Sequence, residues 1–373
     1  MCLTSPVPSG DARVEVDVVR TEGDLAGLLP EWRRLAAMTG GVFAMPSVAL
    51  PWWEHLGRGN LHVVAARRKG RLLALMPLHE RRIAGRGVLR WLGHGLGVVG
   101  EVVHERGDVE GLEGIWQCLA ESKSVLELTS FRHGGFGLQE LRRAPLLETR
   151  LVVSGLCPVV ELDGTASLAD WLVSRPGLAK SLRRLDKGLD AASVRFEAEV
   201  VTSADRVRTL LPQLRAVSRD AEEALPRLDL FASPWQRFTE TMLQEAALTG
   251  ELVLVAGWFG GELGAFDVGL RSGSTLYDIY GRYDPLLARH SPGTLVQREI
   301  VRAAIEVGVE RVDLQLGDHP YKRRWADHSY DAVDVLAAPA DRIRRAAAWQ
   351  HTVLAAHRVR TTLRGRVAKG GST

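Results

Sequence analysis

The stretch SPGTLVQREIVRAAIEVGVERVDLQLGDHPYKRRW, residues 291–325, decides the reading of the fold. Ser291 suits a helix N-cap and Pro292 the first helical position. The run PGTLVQREIVRAAIEVG then reads as a helix and VERVDLQLG as a strand that stops at Gly317-Asp318. A turn through Pro320 follows, after which Tyr321, Lys322, Arg323, Arg324 and Trp325 crowd together. A helix followed by a strand is an α/β unit. A lysine and two arginines directly behind a buried strand ask for a chemical reason.

Working outward, the same unit occurs earlier: GLEGIWQCLAESK reads as a helix and SVLELTSF as a strand. Each unit follows a hairpin, VAARRKGRLLALMPL (64–78) in one half and VAGWFGGELGAFDVG (255–269) in the other. Both hairpins open on Val-Ala, turn at a glycine (Gly70; Gly260-Gly261) and re-enter through a leucine, Leu72 or Leu263. In both halves the helix–strand unit lies about sixty residues beyond the hairpin, which predicts two related α/β domains in tandem. Around this frame, VEVDVVR (14–20) reads as a strand, Leu25 to Met38 as a helix, and Ser47 as the cap of a helix carrying Trp52, Trp53 and Leu56. SVRFEAEVV is a further strand, followed by helices near 207–219 and 234–248. No Gly/Ser-rich linker separates the halves, so they are expected to pack closely with a cleft between them. The expected boundaries are a disordered segment 1–12, an N-terminal domain 13–165, a C-terminal domain 166–338, and a basic helix and tail 339–373.

The chain has 373 residues, of which 25% are charged, with a net charge of +3. That length and composition suit a globular protein of two domains. No apolar run approaches the roughly 20 residues of a membrane span, and no secretion signal is visible. Three cysteines at wide spacing speak against a disulfide framework or a zinc site and for the cytoplasm. The histidines lack ligand-spaced company, so no metal is expected. Basic residues concentrate in RPGLAKSLRRLDKG (175–188) and from Asp341 to Thr373, where one acid stands against eight Arg and Lys. Either stretch could meet phosphates or simply be a solvated face.

The order strand, Ser-Pro-Gly, helix, strand ending Gly-Asp, Tyr-Lys resembles the acyltransferase domain of the GNAT superfamily. The branch is that of cellulose-biosynthesis-type acetyltransferases and of the Fem-type peptidoglycan aminoacyltransferases, which pair two GNAT-like domains. The resemblance spans roughly Val14 to Ala338. It implies two tandem GNAT-like domains, each a mixed sheet flanked by helices, with a C-terminal helix added. It also implies transfer of an acyl group from acyl-CoA to an amine of a small-molecule or saccharide acceptor. Aminoacyl-tRNA is the alternative donor, and a non-catalytic, degenerate binding module the alternative outcome. GNAT proteins that use acetyl-CoA hold its pyrophosphate on a loop of the form Arg/Gln-x-x-Gly-x-Gly/Ala. Here that place is taken by Arg289, His290, Ser291, Pro292, Gly293 and Thr294, with a proline where a glycine is expected. The N–H groups of Gly293 and Thr294 remain as anion donors, with Arg289 and Ser291 beside them.

No Ser-His-Asp order or Gly-x-Ser-x-Gly elbow is present, which sets a serine hydrolase aside. Asp267 lies mid-strand in GAFDVGL, where an acid needs a cleft or a partner such as Arg282. In YDIYGRY, strand alternation puts Asp278 and Tyr280 on one face, beside Arg282 and Asp284. Asp267 and Asp278 are therefore the expected acid–base carboxylates and Tyr280 a proton donor. Lys322, after Tyr321, matches the lysine that in Fem-like relatives faces the reacting acyl group, and a lysine there can hold an oxyanion. Asp318 is expected to hold Lys322 in place, Arg324 with Arg323 to grip an anion, and Trp325 to form an apolar floor.

Overall fold

The computed structural model describes residues 13–39, 41–224 and 228–350. The first half runs β1 (Glu15–Val19), α1 (Glu22–Ala26), α2 (Leu29–Thr39), α3 (Pro46–Leu56), β2 (Asn60–Arg68), β3 (Arg71–Ile83), β4 (Arg86–Trp91), the short β5 (Val103–His104), α4 (Val109–Glu121), β6 (Val125–Arg132), α5 (Phe136–Arg143) and β7 (Glu148–Glu161). The second half runs α6 (Leu168–Val173), α7 (Pro176–Ala191), β8 (Phe196–Val201), α8 (Ala204–Ala224), α9 (Gln236–Leu248), β9 (Leu252–Phe259), β10 (Glu262–Ser272), β11 (Thr275–Tyr283), α10 (Pro292–Glu306), β12 (Arg311–Asp313), α11 (Pro320–Arg323) and β13 (His328–Ala338). A last helix begins at residue 340. The segment 1–12 and the tail after 350 lie outside the described residues.

The described strands form one 13-stranded sheet in the order β1-β2-β3-β4-β6-β13-β7-β12-β11-β10-β9-β8, with β5 attached to β3. Read inward from its two edges, the sheet repeats itself. β1-β2-β3-β4-β6 on one side matches β8-β9-β10-β11-β12 on the other. In each set only the last pair, β4 with β6 and β11 with β12, is parallel. The hairpins at 64–78 and 255–269 occupy the same two places in their sets. Both turn on two residues with positive φ, Lys69-Gly70 (50° and 79°) and Gly260-Gly261 (62° and 92°). Such turns match the twist of the paired strands.

At the centre the halves exchange their last strands. β13, from the second half, pairs with β6 of the first (Ala332 opposite Arg132, Ala337 opposite Leu126). β7, from the first half, pairs with β12 of the second (Val160 opposite Val312). β7 and β13 pair with each other from Glu148–Ala338 to Val159–His328. The sheet is thus continuous across the 165/166 boundary expected from the sequence.

Each face has its own core. On one, Leu295, Ile300 and Ala304 of α10 pack on Val253 and Val255 of β9 and Ala265 of β10. On the other, the core runs through both halves and joins Trp52 of α3 and Trp91 of β4 to Phe238 of α9 and Phe266 of β10. Hydrogen bonds cross the same junction: Ser272 Oγ donates to Ala36 O (2.9 Å) and Gly41 N to Tyr277 Oη (2.8 Å). One detail differs from the sequence reading. α3 starts on Pro46 after Met45, so Ser47 lies in the first turn with a buried side chain and is not the cap. A proline needs no N–H partner at that position, which lets the helix begin a residue early.

Candidate active site

β11 and β12 pair only over Thr275–Tyr277 and Arg311–Asp313. β11 runs on to Tyr283, whereas the chain after β12 turns away. Gln315 has φ +57°, rare for a residue with a side chain, and Gly317 has φ +120°. The turn opens a gap beside β11, and α11 folds Lys322 back into it. Lys322 is only 8% exposed. Its Nζ donates to the carbonyls of Leu316 (2.9 Å) and Gln315 (3.3 Å), which leaves one N–H unused. Among the described residues no carboxylate lies within 4 Å of it. Burial lowers the ammonium's pKa, and Asp278, Cys157, Asp313 and Asp267 pull the other way.

Asp267 on β10 and Asp278 on β11 face this gap. The pair interacts directly, and Lys322 acts on both. Burial first, and Asp278 second, push the Asp267 carboxyl far up. Its Oδ1 is buried with no N–H or O–H donor. Two adjacent carboxylates, one buried and one half-buried, cannot both ionise, so Asp267 carries a proton that it donates to Asp278. Asp278 remains the basic member and also meets Gln297 of α10. An orphaned polar atom such as Asp267 Oδ1 is rare in a folded interior.

Behind the gap a polar chain crosses to the other face of the sheet. Lys322 is bound by Gln315 O, the Gln315 N–H donates to Asp313 Oδ1 (2.9 Å), and Tyr330 Oη donates to Asp313 Oδ2 (2.6 Å). Gln315 Oε1 accepts from Val99 N (2.8 Å). Cys157 stands beside Tyr330 and Asp313, and burial raises its thiol to about 12, so it stays protonated. Tyr330 and Tyr277 then line a cavity of about 290 Å³ between the halves, together with Glu101 and Arg132.

Glu101 is 6% exposed, and burial pushes its carboxyl up from 4.5 to about 8. Its Oε1 accepts from Val102 N (3.0 Å), and a side chain at Gly135 or Gly137 would collide with the carboxyl. Glu101 is protonated in the folded chain at neutral pH and ionised in the unfolded one. It therefore subtracts stability as pH rises from about 4.5 to about 8, and nothing further above that. Each pKa unit is worth about 1.4 kcal/mol, so Glu101→Gln should raise stability at pH 7 by up to roughly 3 kcal/mol. Thermal melts of both proteins check this: the gain should vanish near pH 4.5, and a variant less stable at pH 7 contradicts it.

Residues 177–323 match the family described as "Acetyltransferase (GNAT) domain". The matched segment lies within the second half and is similar to a GNAT acetyltransferase domain. That domain makes acyltransferase the enzyme class. No curated protein matches the sequence. Solved structures of low identity share the fold over nearly the whole chain. The C-terminal domain of a putative lysylphosphatidylglycerol synthetase from Agrobacterium fabrum has 14% identity and a TM-score of 0.56, over 88% of this chain and 96% of that one. FemX has 10% identity and a TM-score of 0.54, over 82% and 90%. L-PGS from Bacillus licheniformis has 13% identity and a TM-score of 0.52, over 84% and 92%.

In the GNAT domain, the start of α10 departs from expectation. Ser291 is left-handed (φ 52°) and its hydroxyl caps nothing. The Thr294 N–H is taken by Ser291 O (2.9 Å), and Pro292 has none, so Gly293 supplies the one open donor of the pair. Arg289 is exposed and its Nε donates to His290 Nε2 (3.0 Å). This set does not reproduce a pyrophosphate cradle.

Other expected residues go elsewhere. A bulge pairs Val268 with Tyr280 but Gly269 with Asp278, leaving Ile279 unpaired. The extra residue turns Tyr280 away from Asp278 to the opposite face. There its hydroxyl meets Ser218 Oγ (2.7 Å) and Asp229 Oδ1 (3.3 Å). Arg282 binds Glu222 (2.5 Å) and Leu228 O (2.8 Å), not Asp267. Asp318 holds Arg323 (2.5 Å) rather than Lys322, whose short helix aims it inward. Tyr321 is exposed and stacks on His319, Arg324 is exposed, and Trp325 is a core residue stacked on Trp171 (6.0 Å). Gln297, Asp313, Gln315, Tyr330, Glu101 and Arg132 were not anticipated. Asp313 carried the same signal as Asp267, an acid inside an apolar strand.

Proposed function

We propose that the chain transfers an acyl group from an activated donor to an amine in the gap between β11 and β12. The observation that carries this is the buried Lys322 amine, two of its hydrogens held by backbone carbonyls, facing the proton-sharing pair Asp267 and Asp278. The acceptor amine attacks the acyl carbonyl. Asp278 takes the proton released from the attacking nitrogen, with Asp267 hydrogen-bonded behind it. The remaining N–H of Lys322 stabilises the negative oxygen of the tetrahedral intermediate, and the donor's leaving group departs as that oxygen returns to a carbonyl. A carboxylate raised above its ordinary pKa retains enough basicity to serve near neutral pH.

Acyl-CoA is the donor that the GNAT domain suggests. A specific observation favours aminoacyl-tRNA instead: α10 opens with few free donors, while Lys180, Arg183, Arg184 and Lys187 form an exposed row on α7 with no ion-pair partner among the described residues. Arg342 is tied to Ser122 O on the first half and so is not part of that row. Either donor places the reaction in the cytoplasm. Native mass spectrometry with acetyl-CoA and with charged tRNA, followed by an amine panel, tests the proposal. Product that requires one donor is expected, with tRNA binding falling steeply between 50 and 200 mM salt if several phosphates are held. Failure to bind or consume either donor overturns the proposal.

A further inference from the structure

The cavity between the halves holds a cation that touches no carboxylate among the described residues. Arg132, at the end of β6, lines it and lies over the Tyr330 ring, 4.4 Å from its centroid. Among the described residues its guanidinium has no hydrogen-bond acceptor and no carboxylate within 4 Å. Arginines enclosed this way are normally paired, because an unpaired charge costs solvation. Two acids act on Arg132 from a distance, Asp313 more than Glu101; Asp313 is occupied by Tyr330 and the Gln315 N–H, and burial keeps the Glu101 carboxyl protonated up to about pH 8. The other titratable groups on the wall give no negative charge either. Burial lowers His104, and it raises Tyr277 to about 12 and raises Tyr330 as well. Arg106 adds a second cation at the rim. Phe136 supplies an apolar side, its ring tilted against His104 (5.1 Å between centroids).

We propose that this cavity binds the anionic group of the acceptor, a carboxylate or a phosphate, through the Arg132 fork with Glu101 as a second hydrogen-bond donor. A planar guanidinium offers two parallel N–H groups to either oxyanion. The volume of about 290 Å³ suits a small group, not a polymer. The position is joined to the chemistry, because Tyr330, Asp313, Gln315 and Lys322 form one unbroken chain of hydrogen bonds. Calling the ligand an acceptor rests on the acyl-transfer reading; the anion site itself does not.

The test is a calorimetric binding titration of the full chain at pH 7, without donor, using succinate and inorganic phosphate separately. Saturable binding of one probe is expected, and which one binds names the source of the charge. Arg132→Gln should weaken it at least tenfold, whereas Arg132→Lys should retain part of it. If Arg132→Gln does not fold, Phe136→Trp, which fills the cavity, should abolish binding. Binding of neither probe, or binding unchanged in Arg132→Gln or Phe136→Trp, overturns the proposal. Anion binding by a chain that transfers no acyl group would remove the transferase reading alone. Transfer to amines at an unchanged KM in Arg132→Gln would remove the anion site alone.

Discussion

Lys322→Met should lower kcat about 10²- to 10³-fold with little change in the KM of either substrate. Loss of one oxyanion donor in a dry site costs roughly 3–4 kcal/mol of transition-state stabilisation. The interaction is made in the transition state and not in the ground state, so kcat and kcat/KM should fall together. The substitution keeps the length of the side chain and its burial. It strands the carbonyls of Gln315 and Leu316, which Lys322 now satisfies, at a cost of about 1–3 kcal/mol. A melting temperature a few degrees lower is therefore expected with the fold retained. Lys322→Arg should not rescue the rate, because a planar fork cannot bind both carbonyls and still present a donor to the gap. Steady-state kinetics on the folded variant decides the matter. A rate within threefold of the parent chain would make Lys322 a structural pin of the turn after β12.

Local pattern carried much of this site and missed what depends on register and partners. The hairpins, α10 and the strand ending at Gly317 were legible because periodicity and turn chemistry act over a few residues. Asp267 and Asp278 were legible because a carboxylate inside an apolar strand must have a reason. Tyr280 was misplaced by a single bulged residue: alternation has a period of two, so one insertion reverses every side chain beyond it. Asp318 was assigned to Lys322 by proximity in sequence, but the half-turn of α11 gives it Arg323. Arg132 reads in sequence as an ordinary arginine at a strand end. It becomes informative only when β13 brings Tyr330 beneath it. The exchange of β7 and β13 was invisible for the same reason, since a strand's own pattern says which face is apolar and not which strand lies beside it.

That exchange leads to the second large effect: neither half should fold alone. A chain cut at Gly164, in the exposed turn after β7, leaves the first half without β13 beside β6. Val333, Val335 and Leu336 of β13 are buried, and a fully buried side chain of this kind contributes about 1.5–3 kcal/mol. Three of them approach the roughly 5–15 kcal/mol by which a whole domain is stable. The loss also bares the backbone edge of β6, an eight-residue strand, which invites aggregation. The second half loses β7, its partner for both β12 and β13, and so the strand that backs the turn holding Lys322. Each half expressed separately should be insoluble or lack a cooperative melt. The two refolded together should form a 1:1 complex with a single transition, because every exchanged contact is then available. A monomeric half with its own sharp unfolding transition would mean that β6 can take β7 in place of β13. The two halves would then be separate domains that touch, not one interlocked sheet.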